Sequence, residues 1–218
     1  MTVLFVLAMF LVFALIDWVL SRGKVEVAEP APEFAPSMGE DYVYGFHVPQ
    51  NRRYHPGHGW AMRERKNVVR VGIDDFAARL AGKIEGLELP KPGQWLRQGQ
   101  RSWKLFRNGK TAEMASPIEG EVLEVNPEVL KDPSLLRRDP YGEGWLMTLH
   151  VPDEEGTSRN FIPKDLIRGW MESVAEKLYV RQPELAGVVA ADAGQPVEDI
   201  AEALGESNWQ ELTNEFFL

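Results

Sequence analysis

The sequence predicts a mainly β domain, a small sandwich or barrel, held between an N-terminal transmembrane helix and a set of C-terminal helices. Three observations predict it. Short alternating apolar runs, broken by Gly and Pro, fill the middle of the 218-residue chain, as in small sandwiches and barrels. Residues 1–20, MTVLFVLAMFLVFALIDWVL, hold Asp17 as their one charged side chain. Beyond residue 152 the apolar spacing changes from alternation to steps of three and four, the helical period.

Composition narrows the possible chemistry. The chain has no cysteine, which excludes a disulfide framework, a thiolate metal site and a thiol nucleophile. The net charge of −9 is unevenly spread. Residues 1–152 carry 19 acids and 19 bases, and residues 153–218 carry 14 acids and 5 bases. An acidic C-terminal third argues against nucleic acid as a partner.

The apolar N-terminus has the length of a membrane span. Nineteen helical residues rise roughly 28 Å, close to the roughly 30 Å hydrocarbon core. Trp18 suits the interface. No Lys or Arg precedes the run, and Ser21-Arg22-Gly23-Lys24 comes after it. That is the pattern of an uncleaved single-pass anchor rather than a signal peptide. Arg22 and Lys24 predict that the remainder of the chain faces the cytoplasm, with the anchor in the inner (cytoplasmic) membrane. The stretch 25–41 contains three prolines and four glutamates, so it is read as a semi-extended linker. The expected divisions are an anchor over 1–21, a Pro/Glu-rich linker over 22–41, a β domain over 42–152 and an acidic helical extension over 153–218.

Within the β domain, strands are expected at 59–62, 68–73, 83–89, 121–125 and 145–151, with a polar turn at 63–67. A short helix begins at Asp74 or Asp75 and ends at Gly82, from the capping preferences of Asp and Gly. Asn126-Pro127 opens a loop or short helix, and Asp139–Gly144 is a turn. The strongest local signal is Asn108-Gly109 between Trp103–Arg107 and Thr111–Ala115. It predicts a two-residue type I′ hairpin, because both central positions need φ > 0. Alternation through this hairpin places Arg101, Trp103, Leu105 and Arg107 on one face, and Lys104 with Phe106 on the other.

Five stretches, taken together, resemble a known family. They are His58-Gly59-Trp60, Val71–Ala77 (VGIDDFA), Glu88–Gly93 (ELPKPG), Ser116–Asn126 (SPIEGEVLEVN) and Asp139–Leu146 (DPYGEGWL). In this order, across about residues 53–152, the chain resembles the glycine cleavage system H proteins, relatives of lipoyl domains. The resemblance implies two antiparallel sheets in a barrel-sandwich hybrid. It also implies a lipoyl-lysine at a hairpin tip that carries aminomethyl groups between partner enzymes, with no catalytic centre in the carrier itself. In the family that lysine stands eight residues before the proline of the next strand and ten after the glycine preceding the hairpin. Counting from Pro117 and from Gly99 both lead to Gly109, so glycine occupies the lysine's place, and the family's acidic residue three positions earlier is Phe106.

The tip supports two readings. In one, the domain carries no lipoate and serves as a non-catalytic accessory subunit of a membrane complex, such as a redox one. Its partners are then the membrane and other proteins, with no small-molecule substrate of its own. The hairpin residues Trp103, Phe106, Arg107, Asn108, Gly109 and Lys110 form its partner-binding surface, helped by nearby Arg97, Arg101 and Lys104. In the other, a bulge at Gly109 brings Lys110 to the apex as the lipoyl acceptor, and the chain is a tethered carrier. His55-Pro56-Gly57-His58 has metal-site spacing, but no second ligand pair accompanies it. His58 also falls on the family's structural histidine, so no metal and no catalytic residues are expected. In the extension, Ile167, Trp170, Met171, Val174 and Leu178 mark one helix face. Val197, Ile200, Ala201 and Leu204 mark another, and Ser207–Gln210 has a capping-box pattern. These helices either cover the sandwich or clamp a partner with the aromatic end Phe216-Phe217-Leu218.

Overall fold

A computed structural model describes residues 41–181, 200–203 and 206–218. The expected anchor, and the linker up to residue 40, lie outside the described residues, as do Val197 and Leu204. Among the described residues no helix is long and apolar enough to cross a membrane.

Two antiparallel sheets enclose one hydrophobic core. The strands are β1 (Tyr42–Val43), β2 (Phe46–His47), β3 (Arg53–Tyr54), β4 (Gly59–Arg65), β5 (Val68–Ile73), β6 (Gly86–Glu88), β7 (Trp95–Leu96), β8 (Arg101–Arg107), β9 (Lys110–Ala115), β10 (Gly120–Val125) and β11 (Met147–His150). A six-stranded sheet runs β3-β4-β5-β11-β10-β7, a three-stranded sheet runs β6-β8-β9, and β1-β2 form a small hairpin. The inward residues include Trp60 and Val71 from the larger sheet and Trp103, Leu105 and Met114 from the smaller, all in one buried cluster. This is the mainly β barrel-sandwich arrangement.

Local chemistry sets several elements. Helix α1 (Asp75–Ala81) is capped by Asp74, whose carboxylate accepts from the Ala77 N–H at 2.8 Å, and Gly82 ends it at φ 68°. Helix α2 (Pro127–Lys131) starts with Pro127 at its first turn and with Asn126 accepting from the Glu128 N–H. Cross-strand from Gly72 sits Trp60, whose indole lies 2.6 Å from where a Cβ on Gly72 would be. That glycine is required by space, since any side chain would displace the indole.

Some boundaries differ from the sequence expectation. The polar stretch 63–65 is strand rather than turn, with a bulge between Arg63 and Arg65 and the turn at Lys66-Asn67. Its side chains are exposed while its backbone pairs with β5, so polarity misreads it. The strands expected at 83–89 and 145–151 shorten to Gly86–Glu88 and Met147–His150. Helix α3 (Leu135–Arg138) was not expected. The carboxylate of Asp132 accepts from both the backbone N–H and the hydroxyl of Ser134 just ahead of it.

The extension forms α4 (Glu154–Thr157), α5 (Ile167–Arg181), α6 (Ile200–Ala203) and α7 (Glu206–Phe217). Helix α5 buries Ile167, Met171, Ala175 and Leu178, with Trp170 and Val174 partly covered. Helix α7 lies against β9 and α1. It already includes Glu206, so Ser207 falls within its first turn rather than ahead of it. Phe216 and Phe217 are buried by the chain itself and Leu218 is exposed, so of the two readings of the extension the one in which its helices cover the sandwich holds.

Candidate functional site: the β8–β9 hairpin

The hairpin tip has the geometry its sequence predicts. Asn108 and Gly109 have φ of 48° and 71°, the two positive values of a type I′ turn. Arg107 pairs with Lys110, Phe106 with Thr111 and Leu105 with Ala112. Pairing is regular up to the tip, so the turn has two residues with no bulge at Gly109, and Lys110 is the first paired residue of the return strand. A Cβ on Gly109 would meet nothing within 4 Å. Asn108 and Gly109 are exposed, while Phe106, Arg107 and Lys110 are half-buried.

The strands behind the tip alter the expected binding surface in three ways. Trp103 is 1% exposed and belongs to the core, so it is no docking aromatic. A bulge between Arg101 and Trp103 shifts the alternation by one residue, because an inserted residue reverses which face the following side chains take. Arg101 therefore points outward and reaches Glu113 at 3.0 Å, instead of sharing the face of Trp103. Lys104 reaches Glu88 at 3.5 Å. Much of the expected basic patch is thus paired with acids on the neighbouring strands. Arg107 turns back toward the body, where its Nη1 donates to the Ala81 carbonyl at 3.3 Å. Phe106 stands across from Gly86, with its ring 3.8 Å from where a Cβ there would lie.

The two histidines of the His55–His58 stretch are each engaged within the protein. His58 Nδ1 lies 2.7 Å from the Asp74 carboxylate in a fully buried pair. Its ring stacks on Phe76 at 4.4 Å and lies 5.0 Å from Trp170. His55 Nδ1 accepts from the Gly57 N–H at 3.1 Å. Burial, and to a smaller degree His58, hold the His55 pKa below its ordinary value. Tyr141, from the Asp-Pro-Tyr-Gly-Glu-Gly stretch, donates to the His47 carbonyl and accepts from the Asp75 N–H, and burial raises its pKa. These motif residues hold the frame together: the carboxylate of Asp74 both caps α1 and holds His58, and Tyr141 ties β2 to the start of α1.

Sequence reasoning did not anticipate what braces the hairpin. The Trp209 indole N–H in α7 lies 3.2 Å from both the Leu80 and Ala81 carbonyls. The capping-box pattern over Ser207–Gln210 signalled a helix there, and the helical spacing of Trp209, Leu212 and Phe216 marks an apolar face, but neither names its partner.

The family model and the curated relatives give the assignment. Residues 52–173 match the family model for the glycine cleavage H-protein. The glycine cleavage system H protein of Anaeromyxobacter sp. (strain K) is 34% identical over 137 residues, spanning 63% of this chain and 98% of the relative. That of Carboxydothermus hydrogenoformans is 34% identical over 119 residues, spanning 54% of this chain and 90% of the relative. Among solved structures, the crystal structure of an H protein from Mycobacterium marinum is 27% identical, with a TM-score of 0.45, covering 48% of this chain and 87% of that one. The matched residues take in β4 to β11, the hairpin between them and the first half of α5, so the chain belongs to the glycine cleavage H-protein family.

Proposed function

We propose that this chain is a membrane-anchored H-protein-like subunit that carries no lipoyl group and works without catalysis, by holding protein partners in a membrane complex. One observation carries the reading. Where the family resemblance puts the lipoyl-lysine, the apex of the hairpin holds Gly109, and Lys110 is a paired strand residue one step further on. A lipoyl acceptor has to stand free at the turn to enter a ligase pocket, and a shift of one residue in a strand sends the side chain to the other face. The anchor rests on the apolar run over residues 1–21, and a cytoplasmic location for the domain rests on Arg22 and Lys24.

Intact-mass spectrometry of the full chain, co-produced with a lipoate ligase and lipoate, tests the reading. The expected result is an unmodified wild type alongside a Gly109→Lys variant that gains one lipoyl group. A lipoyl adduct on Lys110 in the wild type would establish the tethered-carrier alternative instead.

A further inference from the structure

On the larger sheet, away from the hairpin, lies a cavity of about 270 Å³ between β3–β4 and the segment leading into α5. Its floor is apolar and buried, made by Ala61, Val69, Ile118 and Phe161. Its remaining lining includes Arg52, Arg53, Arg63 and Lys164, and among the described residues no Asp or Glu. Arg53, Arg63 and Lys164 are exposed, so three cations from two strands and a distant segment stand at one mouth. The Arg53 guanidinium lies 5.9 Å from the Phe161 ring, at the join of rim and floor.

Arg52 differs from the other three. Its Nη2 donates to the Tyr141 carbonyl at 3.0 Å, and its guanidinium lies 5.2 Å from the centre of the Trp60 ring. Its Nε and Nη1 are buried without an acceptor among the described residues. Arg52 also borders a neighbouring cavity whose lining includes Asp41 and Asp139, and Asp139 acts on it from there, so the cations that belong to this mouth alone are Arg53, Arg63 and Lys164.

A solvated basic surface needs no apolar floor, and a plain core void would not gather four cations. We infer that this cavity binds a small amphiphilic carboxylate. Its apolar body lies on Ala61, Val69, Ile118 and Phe161, and its carboxylate is held by Arg52, Arg53 and Lys164 beside Arg63. Guanidinium forks suit a planar carboxylate. The volume of about 270 Å³ is just below the roughly 300–1,000 Å³ typical of pockets for drug-sized ligands, which fits a ligand of a few carbons. The site is independent of the hairpin and stands whether or not Lys110 is lipoylated.

Calorimetric titration of the full chain with hexanoate, and with hexanamide and acetate as comparators, tests it. The expected result is saturable one-site binding of hexanoate, with both comparators at least about tenfold weaker, as for loss of a charged hydrogen bond or of the apolar contact. An Arg53→Gln/Lys164→Gln variant, altered at exposed positions, is expected to lose about tenfold or more in hexanoate affinity with its melting temperature unchanged. The single Lys164→Gln variant serves if the double one does not fold. The proposal is overturned if hexanoate does not saturate, if hexanamide or acetate binds as tightly, or if the folded variant binds hexanoate as the wild type does.

Discussion

The Ala81 carbonyl shows how single residues set this site. A helix leaves its last carbonyls without intrahelical donors. Here the Trp209 indole and the Arg107 guanidinium supply donors at 3.2 and 3.3 Å. A cation is also favoured at a helix C-terminus. Arg107, next to the tip, is therefore anchored to α1 rather than held out for a partner. His55 supports a pH prediction at the same scale. Its Nδ1 accepts from the Gly57 N–H, a bond that protonation of that nitrogen would break, and burial holds its folded pKa below 6.5. With the folded pKa depressed, the unfolded chain binds the proton more readily. The stabilisation is complete above the unfolded value and is lost as pH falls from there through the folded one. Chemical unfolding midpoints measured from about pH 7.5 down to about pH 5 should fall more steeply for the wild type than for His55→Gln. Parallel profiles would remove His55 as the cause.

Among the elements, the hairpin and α7 act together. The bulge behind Trp103 turns Trp103 into the core and Arg101 out to Glu113. Helix α7, beyond the family-matched residues, then lies on the return strand β9 and on α1. Two kinds of interaction hold it there. Lys177 and Arg181 of α5 reach Glu215 at 2.8 and 3.2 Å, but such half-exposed pairs contribute roughly 0–1 kcal/mol each. Burial of Trp209, Leu212, Phe216 and Phe217 contributes about 1.5–3 kcal/mol per large side chain, so the apolar face dominates. The Phe217 carbonyl lies 2.9 Å from where a Cβ on Gly57 would be, so the contact is close. Trp209→Ala should therefore lower the unfolding free energy by about 3–5 kcal/mol. Leu123→Ala, at a position 43% exposed, should change it by no more than about 0.5 kcal/mol. Equal losses for the two would mean that α7 does not support the domain.

For the whole molecule, the proposed anchor makes a direct prediction. The full chain should stay with the membrane fraction through high-salt and alkaline washes, and a chain lacking residues 1–21 should be released. Retention of the shortened chain would place the attachment elsewhere. Much of the fold was legible because its signals are local. Asn108-Gly109 sets its turn through two positive φ values, Asp74 and Gly82 close α1, and Asn126-Pro127 opens α2, each within a few residues. The β1–β2 hairpin gave no such signal, since its turn puts Tyr44, a bulky residue, at φ 48°, a conformation such residues rarely adopt. The tip was legible in the same local way: sequence alone determined that glycine stands where the family resemblance puts lysine and that Asn108-Gly109 forms the turn, while the pairing of Arg107 with Lys110 excluded a bulge there. Only the tertiary structure decided which hairpin side chains face outward. That depends on a bulge set by pairing with β9 and on the Ala81 carbonyl at the end of α1. Turn type is set by backbone sterics among neighbours, whereas the direction of Trp103 and Arg107 is set by contacts that exist only once distant elements meet.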